Sequence, residues 1–146
     1  MPPTNLPRVP DSAAHLRQSV VTLARALRQE THGHFTPTQL SVFGSIYRHG
    51  PITLSALAAR ERLSAPTITK VVSVLEQQGI IDRISDPDDR RVCRVAVNAA
   101  GRRWADAHRA QRDAWLADQM ARLTAKELAT VTAAIPVLEK LIHDDG

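Results

Sequence analysis

The feature that most restricts the fold is a pair of short helical stretches, about residues 54–61 and 65–78, with only a tight turn between them. The second opens Ser64-Ala65-Pro66. Serine caps the helix, and proline occupies the first turn, where no amide donor is missed. Ile68, Val71, Val72 and Leu75 come next at i, i+3, i+4 and i+7, which defines one buried face. Gly79 then stands as the residue just beyond the helix end. Two short helices at a tight turn are the pattern of a helix-turn-helix. At about 100° per residue, Pro66, Lys70, Ser73 and Gln77 point away from the buried face, and Thr67 and Thr69 flank it. That outer side is small and hydrogen-bonding, with one cation and no acid until Glu76. It suits a groove lined with base edges and phosphates. Ser64, Thr67 and the free amides of the first turn can also meet a phosphate, helped by the helix dipole. Taken alone, the same pattern equally describes a solvated helix face.

The segment after this helix narrows the choice. Residues Ile80 to Ile84 and Val92 to Val97 read as two strands joined by the charged run around Asp86-Pro87-Asp88-Asp89-Arg90-Arg91. A strand pair directly after a helix-turn-helix makes a wing, whose tip can reach the neighbouring minor groove. An arginine there meets a strongly negative potential. Asp86 and Asp89 can accept bonds from hairpin amides and from a nearby guanidinium, so that they shape the tip while Arg90 or Arg91 faces outward. An isolated hairpin of this composition would read as a solvated charged turn.

Upstream, Leu16, Val20, Leu23 and Leu27 mark one face of a first helix, capped by Asp11 or Ser12 and ended by "THGHF". Thr36-Pro37-Thr38-Gln39 is a capping box for a second helix with Leu40, Phe43, Ile46 and Tyr47 inward. "PIT" has room for a single edge strand, after which Thr53 caps the helix carrying Leu54, Leu57 and Ala58. Downstream, Asn98 caps a fifth helix running towards Leu123. Thr124 to Glu127 is a second capping box, opening a helix with Leu128, Val131, Ile135, Leu138 and Ile142 in three-four alternation. Pro136 lies inside that helix and should bend it. The expected order is α-α-β-α-α-β-β-α-α, a mainly α (α+β) chain. The expected divisions are a disordered arm over 1–10, a terminal helix over 11–35, a winged unit over 36–98 and closing helices over 99–146.

With 146 residues, 43% hydrophobic and 23% charged, the chain can bury one domain's core. The formal net charge is +4. Residues 60–103 carry nine Lys and Arg against six Asp and Glu, while 104–146 carry five against seven. A basic centre fits a polyanionic partner, although charge alone also fits an ordinary basic cytosolic protein. One cysteine, Cys93, excludes an intrachain disulfide, and no apolar run is long enough to span a membrane. A cytoplasmic location is expected.

The stretch "LSALAARERLSAPTITKVVSVLEQQGIIDRISDPDDRRVCRVAVNAAG" resembles the multiple-antibiotic-resistance regulator (MarR) family of bacterial winged-helix repressors. "DPDDRR" is similar to the family's acidic-then-arginine wing, and "VNAAG" to its strand-to-helix junction, with Asn98 where threonine is more usual. The resemblance implies a winged helix-turn-helix homodimer whose N- and C-terminal helices interlock and whose recognition helices read a palindromic duplex DNA operator. It implies DNA contacts from Ser64, Pro66, Thr67, Thr69, Lys70, Ser73, Arg90 and Arg91, with Arg90 first for the minor groove. It implies dimer contacts from the stripes Leu16, Val20, Leu23 and Leu128, Val131, Ile135, Leu138, Ile142. Family members often bind small aromatic acids or hydrophobic compounds, and Tyr47, Trp104 and His108 are the residues to line such a cavity. The alternative expectation is a winged-helix protein–protein interaction module without sequence-specific DNA binding.

Other signals are weaker. His32 and His34 lack a third metal ligand. The acids of the wing lack the Gly and Glu that a calcium loop requires at its sixth and twelfth positions. The chain has neither a Gly-rich phosphate loop nor a nucleophile elbow. Neither cofactor nor metal is expected, and an enzyme is not. Cys93 reads as a small buried or half-buried thiol.

Overall fold

The computed structural model describes residues 8–142. In chain order the elements are α1 (Val9–Thr31), α2 (Pro37–His49), β1 (Ile52–Thr53), α3 (Leu54–Glu61), α4 (Ala65–Gln77), β2 (Ile81–Ser85), β3 (Cys93–Val97), α5 (Ala99–Met120) and α6 (Ala125–Lys140). This is the expected order. The strands form one antiparallel sheet in the order β1-β3-β2.

Helix starts are set locally, by side chains that satisfy otherwise unpaired first-turn amides. Thr36, Thr53, Ser64, Asn98 and Thr124 each accept a bond from the amide three residues on. Thr36–Gln39 and Thr124–Glu127 are reciprocal capping boxes. The first helix departs from expectation. Neither Asp11 nor Ser12 caps it; it begins at Val9 with Pro10 in its first turn, and Arg8 supplies no side-chain cap. Of the expected arm, residues 1–7 lie outside the described residues.

The core lies between α2, α3, α4 and the sheet. Val42, Ile46, Leu57, Ile68, Val72, Leu75, Ile81 and Val95 are all at most 1% exposed. Each such side chain contributes on the order of 1.5–3 kcal/mol by leaving water. Tyr47, expected inward, is instead exposed, because Val42, Phe43 and Ile46 already fill the inner face of α2. Both hairpin strands begin one residue later than expected. Ile80 is not a strand residue: its amide bonds to Leu75 O and its carbonyl accepts from the Asn98 amide, closing the end of α4 around Gly79 (φ +74°). The strand therefore starts at Ile81, paired with Val97.

The N-terminus of α5 is pressed against this turn. A methyl group on Gly101 would sit 2.0 Å from Ile80 O and 2.7 Å from Val97 Cγ1, so only glycine fits. The long helices contribute little to the core. Thr31 is the sole buried residue of α1, Gly101 of α5, and α6 has none. α1 lies against α5. Pro136 lies within α6, which runs on to Lys140. No helix among the described residues is long and apolar enough to cross a membrane.

Candidate nucleic-acid interface

α4 buries Ile68, Val71, Val72 and Leu75 and leaves Pro66, Thr69, Lys70 and Gln77 exposed. Ser73 departs from the expected outward direction. It is half-buried, since it follows Val72 and abuts the packed face. At the N-terminus, Ser64 Oγ accepts from the Thr67 amide at 3.3 Å and lies 2.8 Å from Thr67 Oγ1. Thr69 donates its hydroxyl proton to Ala65 O at 2.9 Å, which leaves its lone pairs as acceptors. The side chains of Lys70 and Gln77 have no hydrogen bond or ion pair with any described residue. The one acid of the helix, Glu76, accepts from Arg83 Nε on β2 at 2.5 Å. That bond is the main cause of the Arg83 guanidinium being held above its ordinary pKa, against the opposing effect of burial.

The hairpin leaves the body of the domain at Ile81. Beyond it, Asp82, Arg83, Ile84 and Ser85 are exposed. At the tip, Asp86 Oδ1 accepts from the amides of Asp88 (2.8 Å) and Asp89 (3.3 Å), and Oδ2 accepts from Arg94 Nη1 at 2.6 Å. Asp89 Oδ1 accepts from the Arg91 amide (3.0 Å) and Arg91 Nε (3.1 Å). Both carboxyls are accordingly held below the usual aspartate pKa: Asp86 by Arg94 and then the loop amides, Asp89 by the Arg91 amide and guanidinium. Arg90, between the mutually bonded Asp89 and Arg91, is exposed and its side chain has no partner among the described residues.

Sequence reasoning missed one neighbouring cation. Arg62 stands in the turn before Ser64, exposed and left-handed (φ 55°). A basic residue in a helix-turn-helix turn was the available signal. Glu61, next to it, is tied back to α2 by Ser41 Oγ at 2.7 Å and by Ser45 Oγ.

Away from this surface, a cleft of about 380 Å³ lies between α1, α2 and α5. Tyr47, Trp104 and His108, expected together, all line it. Trp104 meets Phe35 (5.1 Å) and Phe43 (4.9 Å) edge-on and stacks on His108 (4.8 Å, 13°). Arg28, Arg48, Arg109 and Arg112 also line the cleft, and no carboxylate does. Burial first, then the charges of Arg112 and His32, push the His108 imidazole below the usual histidine pKa. His34 bonds to Gln78 Oε1 at 3.3 Å, and His32 Nδ1 lies 2.6 Å from Gly33 O. Cys93 is half-buried.

The MarR family profile matches residues 35–93, the stretch from the loop before α2 to the start of β3. An HTH-type transcriptional regulator of Mycobacterium bovis, Mb0904, itself uncharacterized, is 32% identical over 133 residues, 90% of this chain and 93% of that protein. The chain belongs to the MarR family. The HTH-type transcriptional repressor MdtR of Bacillus subtilis is 31% identical over 103 residues, covering 68% of this chain and 66% of MdtR. A crystal structure of a Pseudomonas aeruginosa protein assigned as a transcriptional regulator superposes with a TM-score of 0.76 at 38% identity, covering 95% of this chain and 100% of that one. As a MarR-family protein, this is a winged-helix, DNA-binding transcriptional regulator and not an enzyme.

Proposed function

We propose that the protein is a homodimeric repressor that reads a palindromic operator and releases it when a small organic anion enters the α1–α2–α5 cleft. The observation that carries the reading is Arg90. It stands exposed, with no side-chain partner among the described residues, at a wing tip where two of the three acids, Asp86 and Asp89, are engaged in shaping the loop. Lys70 and the Thr67–Thr69 edge of α4 read the major groove, Ser64 and Arg62 meet flanking phosphates, and Arg90 enters the minor groove. Arg91 supports the tip through Asp89.

The dimer reading rests on apolar surface. Leu16, Val20 and Leu23 of α1 are 40–50% exposed, and Leu128, Val131, Ile135 and Leu138 of α6 are 37–46% exposed, with Ile142 just beyond at 77%. Such rows are costly in water and complete one another when two copies interlock. Twofold symmetry then sets recognition helices about 34–36 Å apart, one turn of DNA. The repressor sense follows MdtR, which is a repressor. The ligand class follows from the cleft, which is lined by four arginines, one of them (Arg109) paired with Asp106, and by Phe43, Tyr47 and Trp104.

The deciding experiment is capture of genomic DNA fragments by the purified protein, followed by sequencing and anisotropy titration. An inverted repeat bound at least about a thousandfold more tightly than random duplex supports the reading. Capture of random sequence, or an affinity insensitive to salt, overturns it.

A further inference from the structure

We infer that Glu76 and Arg83 form a positioning pair that locks the wing at a fixed angle to the recognition helix, so that both grooves are read by one rigid body. The inference rests on the DNA-reading role proposed for α4 and the wing.

The pair joins the last turn of α4 to the third residue of β2, across the Gly79 turn. Among the described residues no other ion pair connects α4 to the hairpin. β2 itself is buried only at Ile81, and its partner β3 is buried at Val95, opposite Arg83, so the pair lies where the packed part of the hairpin ends. On the opposite face of the strand, Asn98 Nδ2 donates to Gly79 O (2.9 Å) and to Asp82 Oδ1 (3.1 Å). Asp82 and Arg83 are consecutive strand residues and therefore point to opposite faces. The root is thus clamped on both sides, by Asn98 on one and by Glu76 on the other.

Stability does not account for the pair. Its side chains are 36% and 44% exposed, and ion pairs at that exposure add little to folding. What it does is remove one rotational freedom between Lys70 and Arg90, which lie on opposite sides of the turn. Preorganisation of that kind acts on specific binding, where both grooves must be met at once, and not on loose attraction to phosphate. The pair also occupies the only carboxylate of α4, so Glu76 is not presented bare to DNA.

The test compares Glu76→Gln, Arg83→Gln, the double variant and Arg83→Lys. Affinity is measured for a genomic duplex captured by the wild type and for poly(dI·dC), over a range of salt. Each single glutamine variant is expected to weaken the captured duplex about three- to tenfold, and the double variant no further, as for two halves of one interaction. Binding of poly(dI·dC) by Glu76→Gln stays within about twofold of wild type, and Arg83→Lys recovers part of the loss. Residual dipolar couplings, which need no DNA, give the second readout. Amides of α4 and of the hairpin fit one alignment tensor in the wild type and require two in Glu76→Gln. A single tensor in both proteins overturns the inference whatever the DNA result. So does tighter binding by Glu76→Gln. A double variant as weak as the product of the singles, or a salt slope reduced by about two (one for each protomer of the dimer) in Arg83→Gln alone, makes Arg83 a phosphate ligand and overturns it as well. Failure of the wild type to prefer its captured duplex over poly(dI·dC) counts against the operator reading instead, and the couplings still decide the pair.

Discussion

Arg94 reaches back across the hairpin to Asp86, its Nη1 donating to Oδ2 at 2.6 Å, while the other oxygen of the same carboxylate caps the tip amides. One acid thereby ties β3 to the loop and orders the loop itself. Replacing Asp86 with Ala removes both. The expected result is a roughly three- to tenfold loss of specific DNA affinity with only a modest change in thermal stability, because the pair is half-exposed at the hairpin tip. Anisotropy titration beside a melting curve checks this, and an unaltered affinity ends the shaping role. The sign with pH is fixed too. A carboxylate held below its ordinary pKa keeps its contribution above the unfolded value and loses it as pH falls through the folded one. The wing therefore holds its shape throughout the neutral range and loosens only in acid.

Arg90 and Arg91 separate by their partners. Arg91 is bound to Asp89 through its amide and guanidinium, and Arg90 is free among the described residues. Arg90→Ala is expected to cost about 1–3 kcal/mol of operator binding per protomer and to flatten the dependence of log K on log salt by about 1.8, since the dimer carries two wings. Arg91→Ala should cost less and act through the loop. Titrations at several salt concentrations distinguish the two, and a larger loss for Arg91 reverses the assignment.

Gly101 gives a prediction about folding. An alanine methyl would meet the Ile80 carbonyl at 2.0 Å, and neither the turn at Gly79 nor the α5 terminus can retreat without breaking the Asn98–Ile80 bond. Gly101→Ala should destabilise by at least about 1–3 kcal/mol, as overpacked sites do. Denaturant unfolding measures it. A gain in stability, the usual result of replacing a helical glycine, contradicts the packing described.

These cases show what a linear reading can reach. Every cap but the first was legible, because a cap is a contact over three residues: Thr36, Thr53, Ser64, Asn98 and Thr124 needed only their neighbours. The buried face of α4 was legible from its spacing. The start of α1 was not, since Pro10 opens a helix without any side-chain cap. Ile80 misled because a β-branched residue after a glycine looks like strand, whereas its amide and carbonyl close a helix end. The need for glycine at position 101 was not legible, for nothing local says that a carbonyl from another element lies against it. Glu76 with Arg83, and the arginines of the cleft, come together only in three dimensions.

The apolar rows on α1 and α6 make the assembly testable. Ile135→Asp sets a charge in the middle of the α6 row, where the side chain is 46% exposed in the single chain and so tolerates the change locally. The expected outcome is a dimer constant weakened by more than about a hundredfold, seen as a halved mass in sedimentation, and operator binding lost with it. An unchanged mass means that α6 is not the interface.

His108 supplies the last prediction. Its imidazole is held below the ordinary histidine pKa by burial and by the charges of Arg112 and His32, so folding favours its neutral form. That contribution is fully present above the unfolded pKa, near 6.5, and is lost as pH falls through the lower folded value. The melting temperature should therefore drop between about pH 7.5 and 5.5, and drop less in His108→Gln, which cannot take the proton. An aromatic carboxylate in the cleft would bring a negative charge beside the ring and raise its pKa again, so binding should draw in protons near pH 6. Calorimetry in buffers of different ionisation enthalpy reads that uptake directly. Proton release on binding, or a pH dependence identical in His108→Gln, would remove His108 from the cleft's chemistry.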